Sequence, residues 1–168
     1  MKYISTIILF LFIQQCNATD INIEIYREAL LMVFDSFEYN YIIMQQKKDR
    51  PIISDEIWDA SGILIYLNHI GELDMTELEK YYSEYKQNDS DRVTELLQLN
   101  KHKKGNIICH VSSIYNNYFS IDLHRIDNKV NPRKIRTEMC YFGLSYQYIF
   151  FYNKNKLHLI TISKIING

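Results

Sequence analysis

The chain has 168 residues; setting aside the first 18, which read as a leader, leaves 150, one ordinary domain able to bury about two-thirds of its unfolded surface. Its formal net charge of -1 conceals a dipolar sequence, because residues 19–100 hold 7 Lys and Arg against 17 Asp and Glu while residues 101–168 hold 11 against 3. Export and the lack of aromatic residues interleaved with the basic ones argue against nucleic acid as a partner, and no internal repeat or low-complexity tract breaks the chain into units.

Met1-Lys2 is followed by an apolar run, Ile4 to Ile13, and then by Cys16-Asn17-Ala18, the small residues that a signal peptidase requires. Cleavage after Ala18 is the expectation, with a secreted or periplasmic domain spanning residues 19–168. The run is about half the roughly 20 residues of a membrane-spanning helix, so no transmembrane segment is expected in the mature chain. Lipidation at Cys16 is the alternative, against which Gln15 stands where a small residue is wanted.

Asn22 to Met44 reads as a long amphipathic helix, since Tyr26, Ala29, Leu30, Val33, Phe34, Phe37, Tyr41 and Met44 recur at three and four. Pro51 closes it. Ser54-Asp55-Glu56 supplies a cap and an acidic first turn for a second helix running through Trp58 and Leu67 to Gly71. Asp74 with Glu77 resembles a capping box and opens a third, and a short fourth is expected from Ser90 to Leu99. The triplet Asn88-Asp89-Ser90 fits a glycosylation acceptor in a eukaryotic or viral source.

From Lys101 onward the pattern changes to period two. Ile107–Tyr115 and Tyr118–Ile126 flank Asn116-Asn117, and Asn tolerates the positive φ of a two-residue primed turn, so a hairpin is expected with Tyr115 opposite Tyr118. That register places Ile108, His110 and Ser112 on one face with Phe119, Ile121 and Leu123, and places Cys109 with Asp122 and His124 on the other. A second hairpin, Ser145–Tyr152 with Leu157–Ile165, is expected about the tetrad Asn153-Lys154-Asn155-Lys156. Between the hairpins, Lys134–Phe142 alternates as a strand would, with Gly143 as a bulge; a short helix capped by Asn131 with Pro132 at its first position is the rival. The resulting class is α+β, with N-terminal helices packed on one face of a C-terminal antiparallel sheet of four or five strands. This order of elements is broadly similar to the cystatin-like and NTF2-like folds, a similarity of architecture that no motif carries.

For chemistry the chain offers little. His69, His102, His110, His124 and His158 are scattered, and the register turns His110 and His124 to opposite faces, so no metal or other cofactor is expected. No G-x-S-x-G or phosphate loop is present, and no catalytic residue stands out. Cys109 and Cys140 lie in expected strands of an exported chain and form a candidate disulfide, or else two buried thiols. Tyr146, Tyr148 and Phe150 share a face and would line any apolar pocket beneath the long helix. Lys101, Lys103, Lys104, Arg133, Lys134 and Arg136 lie on loops and would form a basic patch for an acidic protein partner, unless they neutralise the acidic half. The expected function is therefore non-enzymatic recognition of a protein, of the immunity or inhibitor type. Its rivals are an envelope hydrolase assembled only in three dimensions and a pocket protein for a small apolar ligand.

Overall fold

The structure, a computed structural model, describes residues 23–84, 93–135 and 143–167. The class is α+β: helices pack on a five-stranded mixed sheet whose strands lie in chain order, β1 Pro51–Trp58, β2 Gly105–Ser112, β3 Tyr118–Val130, β4 Gly143–Asn153 and β5 Lys156–Asn167. Strands β2 to β5 form the expected antiparallel meander. The departure is β1, which pairs parallel to β2 at one edge and takes the place of the first half of the expected second helix. Its start, Pro51-Ile52-Ile53, is β-branched behind a proline, which suits the first residue of an edge strand. The cap signal read at Ser54 belongs to a bulge instead: the Ser54 hydroxyl accepts from the Glu56 N–H at 3.1 Å, where β1 carries two extra residues between Ile53 and Ile57.

Helix α1, residues 23–35, ends nine residues short of the expected boundary. Ser36 interrupts it, because its hydroxyl donates to the Val33 carbonyl at 2.7 Å and accepts from the Tyr39 N–H at 3.2 Å. A π-turn, Glu38–Ile43, follows and changes the phase, so that Tyr39 and Ile43 become buried while Phe37 and Tyr41 stand out at 62% and 75% exposure. The stripe read from the sequence thus fails beyond Phe34. Helices α2 (Ser61–His69) and α3 (Met75–Glu84) are joined through Gly71, at φ 77°, and α3 begins as expected, with the Asp74 carboxylate accepting from the Glu77 N–H at 2.8 Å. The expected fourth helix is a 3-10 turn, Thr94–Leu99; residues 85–92, with the glycosylation triplet, lie outside the described residues.

The helices cover both faces of the sheet, not one. Against the first face, Ile25, Tyr26, Ala29, Leu30 and Val33 of α1 bury with Ile107, Phe119, Ile121, Tyr148 and Phe150. Against the second, Ile63, Leu64 and Leu67 of α2 and Leu78 of α3 bury on Ile149, with Tyr115 and Tyr118 at the margin. Since Tyr148 and Ile149 are neighbours on β4, the two clusters lie on opposite sides. That face also carries Ile52 and Ile108, closed by Ile135 just after a 3-10 turn, Pro132–Lys134. The turn is the rival reading of this segment, with the Asn131 side chain accepting from the Arg133 N–H; residues 136–142 lie outside the described residues.

Both hairpin turns are two residues long. Asn116 and Asn117 have φ of 47° and 67°, as expected; Lys154 and Asn155 have 47° and 60°, because Asn153 pairs with Lys156 and the expected tetrad tightens to two residues. The exposed edge of β1 is closed by Asn100, whose side-chain amide exchanges hydrogen bonds of 2.7 and 2.9 Å with the backbone of Ile53. Gly105 permits the close start of β2, since a Cβ there would lie 2.3 Å from the Arg50 carbonyl oxygen.

The loop entering β1 is held by Asp49, a buried carboxylate. It accepts from the Gln46 N–H at 2.8 Å, from the Asn106 amide at 2.8 Å and from the Arg125 guanidinium at 2.6 Å, and the same Arg125 nitrogen reaches the Ile43 carbonyl at 2.7 Å. Burial pushes this carboxyl up, but the hydrogen bonds and the Arg125 charge win and bring it down to about 2. Removal of Asp49 leaves Arg125 facing the interior without its counter-charge, so Asp49→Ala is expected to cost about 3 kcal/mol in urea unfolding at neutral pH. Arg125→Met in the same chain should recover part of that loss; a single-variant cost below about 1 kcal/mol would show that the pair does not pin the loop.

Candidate functional site

The second face of the sheet carries a buried polar row that the sequence reading divided between two faces. The turn pairs Tyr115 with Tyr118, but the ladder beyond pairs His110 with Asp122 and Ile108 with His124, so β2 holds one extra residue between Val111 and Tyr115. A one-residue slip exchanges the faces of a strand. Ser112 marks the place: its hydroxyl accepts from the Ser120 N–H at 2.8 Å, standing in for a backbone acceptor. His110 and His124 therefore share a face, with ring centroids 5.7 Å apart, and the expectation that they point apart is corrected. Trp58, at the end of β1, stacks on His110 at 4.1 Å and leans on His124 at 5.1 Å.

Two strands supply the remaining members. On β3, Ser120 donates to the Asp122 carboxylate at 2.8 Å; on β4, the Ser145 hydroxyl lies 2.9 Å from His124 Nδ1. Gln147, paired with Asp122 across the ladder, also hydrogen-bonds its carboxyl. Gly62 lets α2 sit directly on Gln147, whose amide nitrogen would be 2.8 Å from a Cβ at that position. Burial raises the Asp122 carboxyl to about 6 despite the hydrogen bonds from Ser120 and Gln147, which lower it. Burial, and then the neighbouring His124, hold His110 well below its ordinary value, so it is neutral at pH 7.

Ser, His and Asp are the residue types of acyl-transfer chemistry, but this arrangement differs from a working triad in two ways. The described partners of the Asp122 carboxyl are Ser120 and Gln147, and Ser145 is 1% exposed, so no substrate carbonyl reaches its Oγ in this conformation. What the row does chemically is hold a buried carboxyl, its pKa raised to about 6 and its oxygens hydrogen-bonded by Ser120 and Gln147, on the same face as the stacked rings of Trp58 and His110. Sequence reasoning missed it because the register extrapolated from the Asn116-Asn117 turn put His110 and Ser112 on the face opposite Asp122 and His124. The available signal was that two amphipathic helices needed a face to cover.

The other expected sites fall as follows. Tyr146, Tyr148 and Phe150 do share a face, but the space beneath α1 is filled: Tyr148 and Phe150 are fully buried, and the Tyr148 hydroxyl lies 2.8 Å from that of Ser36. The expected apolar pocket is thus core. Cys109 is a free thiol in the same core, pushed far up by burial; Cys140, its expected partner, lies outside the described residues, as do the expected leader and Cys16. No group of three or more His, Cys, Asp or Glu suited to a metal occurs among the described residues. No helix among them is long and apolar enough to cross a membrane.

The basic loops converge. Lys101, Lys103 and Lys104 precede β2, Arg133 and Lys134 follow β3, and the pairings Pro51 to Ile107 and Gly105 to Val130 bring these loops to one end of the sheet. Lys47, Lys48 and Lys129 join them there, with Lys129 donating to the Lys48 carbonyl. All eight are exposed, and among the described residues none is in an ion pair; Arg136 lies outside the described residues. Glu72, which accepts from the Tyr118 hydroxyl at 3.1 Å, belongs to the opposite end, beside the Asn116-Asn117 turn. No protein-family model, curated protein or solved structure matches this chain.

Asp122 and His110 make opposite contributions to pH-dependent stability. Asp122 has a raised folded-state pKa, so the folded state holds the proton more tightly and stability falls as pH rises from about 4 through 6. His110 has a depressed one, so the unfolded state takes the proton first and stability falls as pH drops below about 6.5. Asp122→Asn is expected to gain up to about 3 kcal/mol at pH 8 and little at pH 4, which leaves a profile that declines on acidification. Urea unfolding of both proteins across this range checks it; parallel profiles would show that Asp122 does not titrate with folding.

Proposed function

We propose that this chain is an exported, non-enzymatic binding protein that recognises an acidic protein partner through the basic end of its sheet, as immunity proteins and inhibitors recognise their targets. The observation that carries the reading is the convergence of eight exposed lysines and arginines from three separate loops and the end of β3, in no ion pair among the described residues. Exposed Phe37 and Tyr41, stacked at 4.9 Å on the π-turn, offer aromatic anchors of the kind that dominate interface energetics. Export rests on the leader-like residues 1–18.

The test uses poly-L-glutamate as a defined acidic probe. The protein should associate with it, more weakly as salt is raised, and Lys101→Glu, Lys103→Glu and Lys104→Glu combined should abolish the association. Thermal stability should change little, since exposed charges contribute ~0 to 1 kcal/mol each. A triple variant that melts far earlier yet associates unchanged would mean that these charges serve the fold. A second reading, a hydrolase, draws on the 2.9 Å contact between Ser145 and His124. Covalent labelling of Ser145 by a fluorophosphonate in the folded protein would favour it over the first.

A further inference from the structure

A cleft of about 390 Å³ opens between the π-turn, the loop entering β1 and the exit of the 3-10 turn before β2. Its walls are apolar, formed by Phe34, Tyr39, Met44, Pro51, Ile53 and Leu99, and Arg50, Asn100, Lys101 and His102 stand on its polar side. Asp49 also lines it, but the hydrogen bonds from Asn106 and Arg125 occupy that carboxylate, and Arg125 neutralises it. The Arg50 guanidinium donates to the carbonyls of Lys47 and Asp49, which fixes its charge at the wall. The net character is thus an apolar cavity with a cationic rim, of a size found in small-molecule sites.

A second feature points to the same place. A π-turn is rare and occurs disproportionately at functional sites. Here it turns Tyr39 inward, so that its ring packs on Phe34 at 4.9 Å and the pair forms one wall. A regular helix continued from α1 would have presented Phe37 and Tyr41 to the sheet instead.

We propose that this cleft binds a small amphiphilic anion, a ring-sized or short-chain apolar group that carries one carboxylate, with the apolar part between Tyr39, Met44 and Leu99 and the carboxylate toward Lys101 and Arg50. This site is separate from the polar row on the other face and goes beyond recognition of an acidic protein. The favourable chemistry is burial of an apolar group in a preformed cavity together with a charge-assisted contact at the rim.

The probe is 2-naphthoate, with 2-naphthalenemethanol as its neutral counterpart, followed by titration with backbone amide chemical shifts. Saturable binding of the naphthoate is expected, with shifts at Tyr39, Leu99 and Lys101 and an affinity about tenfold above that of the alcohol. Leu99→Trp fills the cavity and should remove binding; Lys101→Glu, an exposed change, should weaken it about tenfold without affecting the fold. Equal affinities for acid and alcohol, no saturable binding, shifts confined to other surfaces, or unchanged binding in Lys101→Glu would each overturn the proposal, and the last stands even if Leu99→Trp fails to fold. Retention of poly-L-glutamate binding by Leu99→Trp separates this site from the protein-binding surface, so each reading can fail alone.

Discussion

The single extra residue of β2 between Val111 and Tyr115 decides what every side chain of the central hairpin does. With it, Ile107, Cys109 and Val111 face α1 alongside Phe119, Ile121 and Leu123, and one fully apolar layer forms. Without it, those three would face α2 with His110, Ser112 and Ile108 turned into the α1 layer, and each side of the sheet would mix apolar and polar groups. Burial of a polar group without partners costs on the order of 1–3 kcal/mol, so segregation of the polar residues into one hydrogen-bonded row is what makes the alternative register uncompetitive. The bulge in turn depends on Ser112, whose hydroxyl supplies the acceptor that the displaced backbone cannot.

The edge strand β1 depends on a different device. A parallel edge strand far in sequence from its neighbour gains little from local turns, and here it is pinned at both ends of its first segment: by Asp49, which ties the entering loop to Arg125 and Asn106, and by Asn100, which satisfies the backbone of Ile53. These contacts bring the loop at residues 45–50 beside the loop at residues 101–104. The cleft and the basic end both follow from this juxtaposition, since one lies inside it and the other around it.

The sequence made the meander legible wherever local chemistry and global fold agree. Asn116-Asn117, Asp74 with Glu77, and the apolar alternation of β4 are such places, and all form as read. It misled where one signal serves two structures. Ser54-Asp55-Glu56 has the chemistry of a helix cap, but the same side-chain-to-backbone hydrogen bond stabilises a bulge in β1. The apolar spacing from Tyr26 to Met44 holds period 3.6 through a point where Ser36 changes the phase, a tertiary matter because its hydroxyl also contacts Tyr148. Of the candidate sites, the convergence of Lys101, Lys103 and Lys104 with Arg133 and Lys134 was legible as charge, but not the cleft beside them, which requires a strand where a helix was read.

The charge asymmetry of the two halves survives folding as a separation in space. Strand β3 runs from Tyr118, beside Glu72, to Val130, beside the basic loops, and its 13 residues span about 40 Å. Screening at physiological salt acts within about 8 Å, so the carboxylates at the turn end contribute almost nothing to neutralising the cations at the other. Packing the two halves together would have removed the asymmetry only if the loops at residues 101–104 had docked on the α2–α3 surface. They instead adjoin the strand starts, where Asp49 is already committed to Arg125 and Asp127, two residues from Lys129 on β3, is an exposed carboxylate. With Asp49 committed inside the fold, the eight exposed cations at this end outnumber the exposed carboxylate of Asp127 beside them, so among the described residues this end keeps a net positive charge.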